Sequence, residues 1–174
     1  MSQLQNLINQ MNEIKAKMKQ DGQAALKEEF KKFFDKYAVA KKIIWVQYTP
    51  YFNDGDACVF EVRDFELKAN LDFVADDVKA ALNTDDDDYD DNYSYSEHCL
   101  ISTLKRIEDN ASNRRWSKEK LRKLSSDEST LIEDFNTLVK ASYELPDLFE
   151  MIFGDHVRVV ASAEGFETFE YSHD

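Results

Sequence analysis

Glycine and proline are scarce: four glycines and two prolines in 174 residues. So few turn-forming residues argue against an all-β fold, and no glycine-rich phosphate cradle or dinucleotide-binding fingerprint is present. With two cysteines, Cys58 and Cys99, there is no disulfide framework, which points to a reducing, cytoplasmic setting. Cys58 falls on an apolar phase of a predicted strand and reads as a small core residue. Of the three histidines, His98, His156 and His173, none stands at metal-ligand spacing from another. Adjacent His98 and Cys99 point about 100° apart on a helix and form no nucleophile–base pair. No apolar run approaches the ~18 residues that span a bilayer, and the opening residues lack the apolar core of a signal peptide. The expectation is a cytoplasmic binding protein, not an enzyme, with no cofactor and no membrane.

Apolar residues make up 43% of the chain and aromatics 13%, enough for a packed core and too many for a wholly disordered chain. The net charge of -13 is unevenly spread. Residues 71–97 carry one base and ten acids, residues 98–125 eight bases and three acids, and residues 126–174 two bases and twelve acids. A basic segment therefore lies between two strongly acidic ones. Most of this surface repels nucleic-acid phosphates, so direct nucleic-acid binding is not expected.

Leu4, Leu7, Met11, Ile14 and Met18 repeat at alternating spacings of three and four, an amphipathic helix with a narrow seam. The pattern breaks at Asp21-Gly22 and resumes at Leu26, Phe30, Phe33 and Tyr37, so the helix either stutters or is two helices meeting at Gly22. The seam packs on another helix of the same chain or on a second subunit. Residues 43–51 and 58–67 read as strands, joined through Asn53-Asp54-Gly55, a strong signal for a tight hairpin turn. In the second strand the apolar phase slips from Cys58, Phe60 and Val62 to Phe65 and Leu67, which predicts a bulge near Asp64. Helices are predicted over 71–82, after Ser96, after Ser125 through a capping box with Glu128, and over Asp147–Phe153 behind Pro146. A second hairpin, 156–161 with 166–171, turns around Gly165. The fold class that follows is α+β: one antiparallel sheet built from an N-terminal-half hairpin and a C-terminal hairpin, covered by helices, with a helical arm over 1–40. Residues 41–174 form a single domain with an acidic loop at 85–97.

The most distinctive stretch runs from Trp45 to Phe60, with Gln47, Tyr48, Thr49, Pro50, Tyr51, Phe52, Asn53, Asp54, Gly55, Asp56 and Cys58 in order. It resembles the W-x-Q-Y-T-P-Y-F-N-D-G-[D/E]-x-C-x-F motif of uncharacterised, mostly bacteriophage-encoded proteins. The resemblance covers about a tenth of the chain and implies a phage origin without an activity. The aromatics beside this turn either fill the core or form a recognition surface. As a surface, Tyr48, Tyr51 and Phe52 would be its anchors, and Gln47, Asn53, Asp54 and Asp56 its polar contacts.

The acidic loop contributes Asp85, Asp86, Asp87, Asp88, Asp90 and Asp91. Asp86, Asp88, Asp90, Asn92, Ser94 and Glu97 match the ligand spacing of a calcium-binding EF-hand loop, but Asp91 stands where that loop needs glycine. Asp86, Asp88, Asp90 and Glu97 are thus weak metal candidates, set against loose cation association, a solvated loop, and carboxylates that enter a basic groove as a nucleic-acid mimic. Arg114, Arg115, Trp116, Lys118, Lys120, Arg122 and Lys123 form a basic cluster that either offsets these acids or meets a phosphate backbone. Three readings result: an accessory protein binding a host or phage protein with a basic surface, a self-associating homo-oligomer joined through the N-terminal helix, and a cation-dependent regulatory module.

Overall fold

A computed structural model describes residues 3–52, 55, 57–82, 99–112 and 123–172. It shows a helix α1 (Gln3–Lys36), strands β1 (Ala40–Tyr48) and β2 (Glu61–Ala69), helices α2 (Asp76–Leu82), α3 (Leu100–Ser112), α4 (Ser126–Glu144) and α5 (Pro146–Phe153), and strands β3 (Val157–Ser162) and β4 (Gly165–Glu170). The strands form one antiparallel sheet in the order β2-β1-β3-β4. The α+β class and the two-hairpin sheet are as expected. The two hairpins meet through β1 and β3, which become the central strands.

The core forms on one face of this sheet because side chains alternate along a strand. Ile43, Trp45 and Gln47 of β1 point to that face, opposite Ala161, Val159 and Val157 of β3. On β2 the pairing steps from Ile44 with Glu66 to Val46 with Arg63, so two residues, Asp64 and Phe65, oppose Trp45. Asp64 takes φ +56°, a left-handed conformation that Asp tolerates better than most residues. This is the expected bulge, and it shifts the phase so that Val62, Phe65 and Leu67 all reach the core.

Trp45 is completely buried, and rings from four other elements surround it. Phe30 of α1 lies at 5.6 Å, Phe65 of β2 stacks at 5.2 Å, Phe149 and Phe153 of α5 stand at 5.9 and 5.5 Å, and Phe166 of β4 at 6.2 Å. Its indole N–H donates to Gln47 Oε1 at 3.1 Å, and the Gln47 amide nitrogen donates to the carbonyls of Phe149 and Gly154. One buried side chain thereby satisfies the indole and ties the end of α5 to the central strand. α5 itself begins at Pro146, where a missing N–H costs nothing, and ends at Gly154 with φ +93°.

Five expectations are revised or narrowed. Gly22 does not break the first helix: α1 is continuous from Gln3 to Lys36. A Cβ at residue 22 would stand 2.6 Å from Leu148 Cδ1, so glycine here lets α5 lie against the α1 backbone. Leu4, Leu7, Met11, Ile14 and Met18 are all exposed, so the seam does not pack on another described helix of its own chain. The first hairpin is real but not tight, because its strands stop at Tyr48 and Glu61 and residues 49–60 connect them. Cys58 lies in that connection and is exposed, not in the core. The 71–82 segment divides into a 3-10 turn, Leu71–Phe73, and α2. The Ser125–Glu128 capping box forms as expected.

Gln47→Met keeps the side-chain volume while leaving the Trp45 N–H and two carbonyls without their partner. The expected cost is about 3 kcal/mol of unfolding free energy, read by urea denaturation. A loss below about 1 kcal/mol would mean that Gln47 does not hold α5 in place.

Candidate protein-binding surface

The C-terminal end of β1, the start of β3 and the end of β4 lie side by side, and the aromatic stretch emerges there. Tyr51 stacks on the His156 ring at 4.8 Å with the planes 14° apart. Tyr48 lies 6.4 Å from His156 and 5.6 Å from Tyr171, while the Arg63 guanidinium stands over the Tyr48 ring at 5.7 Å and pairs with Glu61. The arrangement depends on strand order: β1 and β3 are neighbours, so the residue after Tyr48 meets the residue before His156.

Asp155 locks this junction. Its Oδ1 accepts from the backbone N–H groups of Thr49 and His156, each at 2.8 Å, and Oδ2 lies 3.7 Å from His156 Nε2. His156 takes φ +54°, a turn that aims the following residues into β3 and its ring at Tyr51. Tyr171 N–H closes on the His156 carbonyl at 2.9 Å. Burial by itself raises the Asp155 carboxyl, but the hydrogen bonds from Thr49 and His156 together with the nearby imidazole prevail and hold it below the usual carboxylate value.

Beyond this anchor the chain turns outward. Tyr51 is 69% and Phe52 77% exposed, and Val59 on the returning segment is 62% exposed. The residues singled out in sequence thus divide by location. Tyr48 is half-buried, Tyr51 and Phe52 face solvent, and Gln47 is fully buried in the frame instead of serving as a surface contact. Asn53, Asp54 and Asp56 lie outside the described residues, as do Asp85 to Asp91, Glu97 and the basic cluster from Arg114 to Arg122.

Sequence reasoning missed Asp155, His156 and Tyr171. Their only signal was a polar pair after Gly154, and its meaning depends on which strand lies beside β3. Among the described residues no group of three or more His, Cys, Asp or Glu could hold a metal ion, and no helix is long and apolar enough to cross a membrane. An apolar cleft of about 210 Å³ between α2, α3 and α4, lined by Val78, Leu100, Leu104 and Leu131, gathers none of the predicted site residues. No protein-family model, curated protein or solved structure matches the chain.

The lowered carboxyl sets the sign of a pH dependence. Asp155 adds stability that is fully present above its unfolded value near 4 and is lost as pH falls through the lower folded value. Asp155→Ala is expected to cost about 1–2 kcal/mol at pH 7. Measured by denaturation, that difference should shrink as pH drops below about 4; a difference that stays constant down to pH 2 would contradict the anchor.

Proposed function

We propose that this chain is an acidic, phage-type accessory protein that works by binding another protein, not by catalysis. The observation that carries this reading is the Tyr51–Phe52 pair, held outside the core at a junction made rigid by Asp155 and His156. Exposed aromatics on a fixed base offer large contact area with little conformational entropy left to lose, which is the profile of a binding hot spot. Tyr48, under the Arg63 guanidinium, shares the His156 ring with Tyr51, and Asn53 and Asp54 follow the pair in sequence.

The charge distribution supports a basic partner. Ten acids against one base over residues 71–97, and twelve against two over 126–174, favour encounter with a basic protein surface. The most concrete form is inhibition of a host nucleic-acid-handling or defence enzyme in the host cytoplasm, with Asp85, Asp86, Asp87, Asp88, Asp90 and Asp91 standing where phosphates would. The resemblance of the 45–60 stretch to phage-encoded proteins supports the setting.

Affinity capture from bacterial lysate tests this at low and high salt with three baits: wild type, Tyr51→Ala with Phe52→Ala, and a chain carrying Asn in place of those six aspartates. A basic protein retained by wild type at low salt, and weakened at least tenfold by the aromatic double variant, is the expected result. Equal retention by all three baits, or no retention by wild type, would overturn it.

A further inference from the structure

Among the described residues, nothing buries the first half of α1. Residues 3–21 are exposed throughout, and Leu4, Leu7, Ile8, Met11, Ile14 and Met18 are between 42% and 66% exposed. Along α1 exposure first falls at Gly22, beside Leu148, and the helix's buried residues are Phe30, Phe33 and Phe34. The free portion is about 28 Å long at 1.5 Å per residue. Its three asparagines, Asn6, Asn9 and Asn12, are poor helix formers, so its stability has to come from packing of the apolar face.

We propose that this face is covered by a second copy of the same chain, the two arms pairing antiparallel about a two-fold axis between residues 12 and 13. Leu4, Leu7, Met11, Ile14 and Met18 occupy successive a and d positions, with Asp21 at the next d. In the antiparallel register Leu7 faces the partner's Met18, Met11 faces the partner's Ile14, and both contacts recur through the symmetry, giving four apolar layers. Leu4 meets the partner's Asp21 at each end. A parallel pair would instead place Asp21 against the partner's Asp21, two like charges in one layer.

Charge on the larger scale selects the same arrangement. Up to residue 21 the arm carries Glu13 and Asp21 against Lys15, Lys17 and Lys19, so the whole of the -13 balance resides beyond it. Parallel arms would hold two strongly acidic bodies side by side. Antiparallel arms hold them apart by about the arm's length, roughly three Debye lengths at physiological salt. Ile8, beside the seam, faces the partner's Lys15, whose aliphatic stem can cover it. Burying these six side chains from two copies removes on the order of 10³ Å² of apolar surface, near the lower bound for a specific interface. The pairing uses none of the residues at the Tyr51 surface, so it stands or fails independently of that reading.

Sedimentation equilibrium of the full chain, alongside Met11→Lys with Ile14→Lys, tests the association. The expected result is twice the chain mass for wild type and the single mass for the variant, with the near-UV signal of the buried Trp45 region unchanged because Met11 and Ile14 are exposed. In a chain with Cys58→Ser and Cys99→Ser, Leu7→Cys and Met18→Cys are then prepared separately and mixed under oxidation. A disulfide between the two species supports the antiparallel register. A wild-type monomer at 100 μM (about the scale at which weak transient pairs populate), a trimer, or a self-disulfide of Leu7→Cys alone would overturn it.

Discussion

Four elements besides its own strand meet at Trp45. The indole lies at the middle of a central strand, fully buried, and the elements that touch it come from both ends of the sequence: Phe30, Phe65, Phe149, Phe153 and Phe166. A side chain this large is useful in a core only when its one polar atom finds a partner, and Gln47, two residues along the same strand face, supplies it. Gln47 then spends its own donors on the carbonyls at the end of α5. The position of α5 therefore follows from a hydrogen-bonding requirement created by the tryptophan, and α5 in turn receives α1 at Gly22.

This frame explains why the aromatic stretch divides as it does. Trp45 and Gln47 face inward because alternation along β1 places them on the core side. Past Tyr48 no strand among the described residues continues the pairing, Pro50 lacks the donor to extend it, and Thr49 is instead held by Asp155. From that point Tyr51 and Phe52 have no core left to enter. One motif thus provides both the centre of the fold and the most exposed rings among the described residues. At the far end of the molecule, the Lys36 ammonium and the Tyr37 hydroxyl converge on Asp134 at 2.6 and 2.7 Å, closing α1 onto α4 and holding that carboxyl below its ordinary value.

Much of the architecture was legible in sequence because it rests on local rules. The Ser125–Glu128 box, Pro146 with Gly154, and the phase slip at Asp64 each have a nearby physical cause and appear where expected. What escaped depends on distance. The Cys58 segment alternates like a strand, but pairing stops at Glu61, since alternation states only that a strand would be half-buried if a neighbour were present. Gly22 reads as a break until the close approach of Leu148 is seen. Likewise Asp155 and His156 acquire a role only through the adjacency of β1 and β3, which no pattern within either strand encodes.

Through Trp45, the last turns of α1 join the sheet and α5 in one cooperative unit. Residue-resolved amide hydrogen exchange measures this directly. Residues 30–36, 43–47 and 157–161 are expected to exchange together, through global unfolding, while residues 51 and 52 exchange far faster. Exchange of residues 30–36 orders of magnitude ahead of 43–47 would show that α1 merely rests on the sheet, and would contradict it.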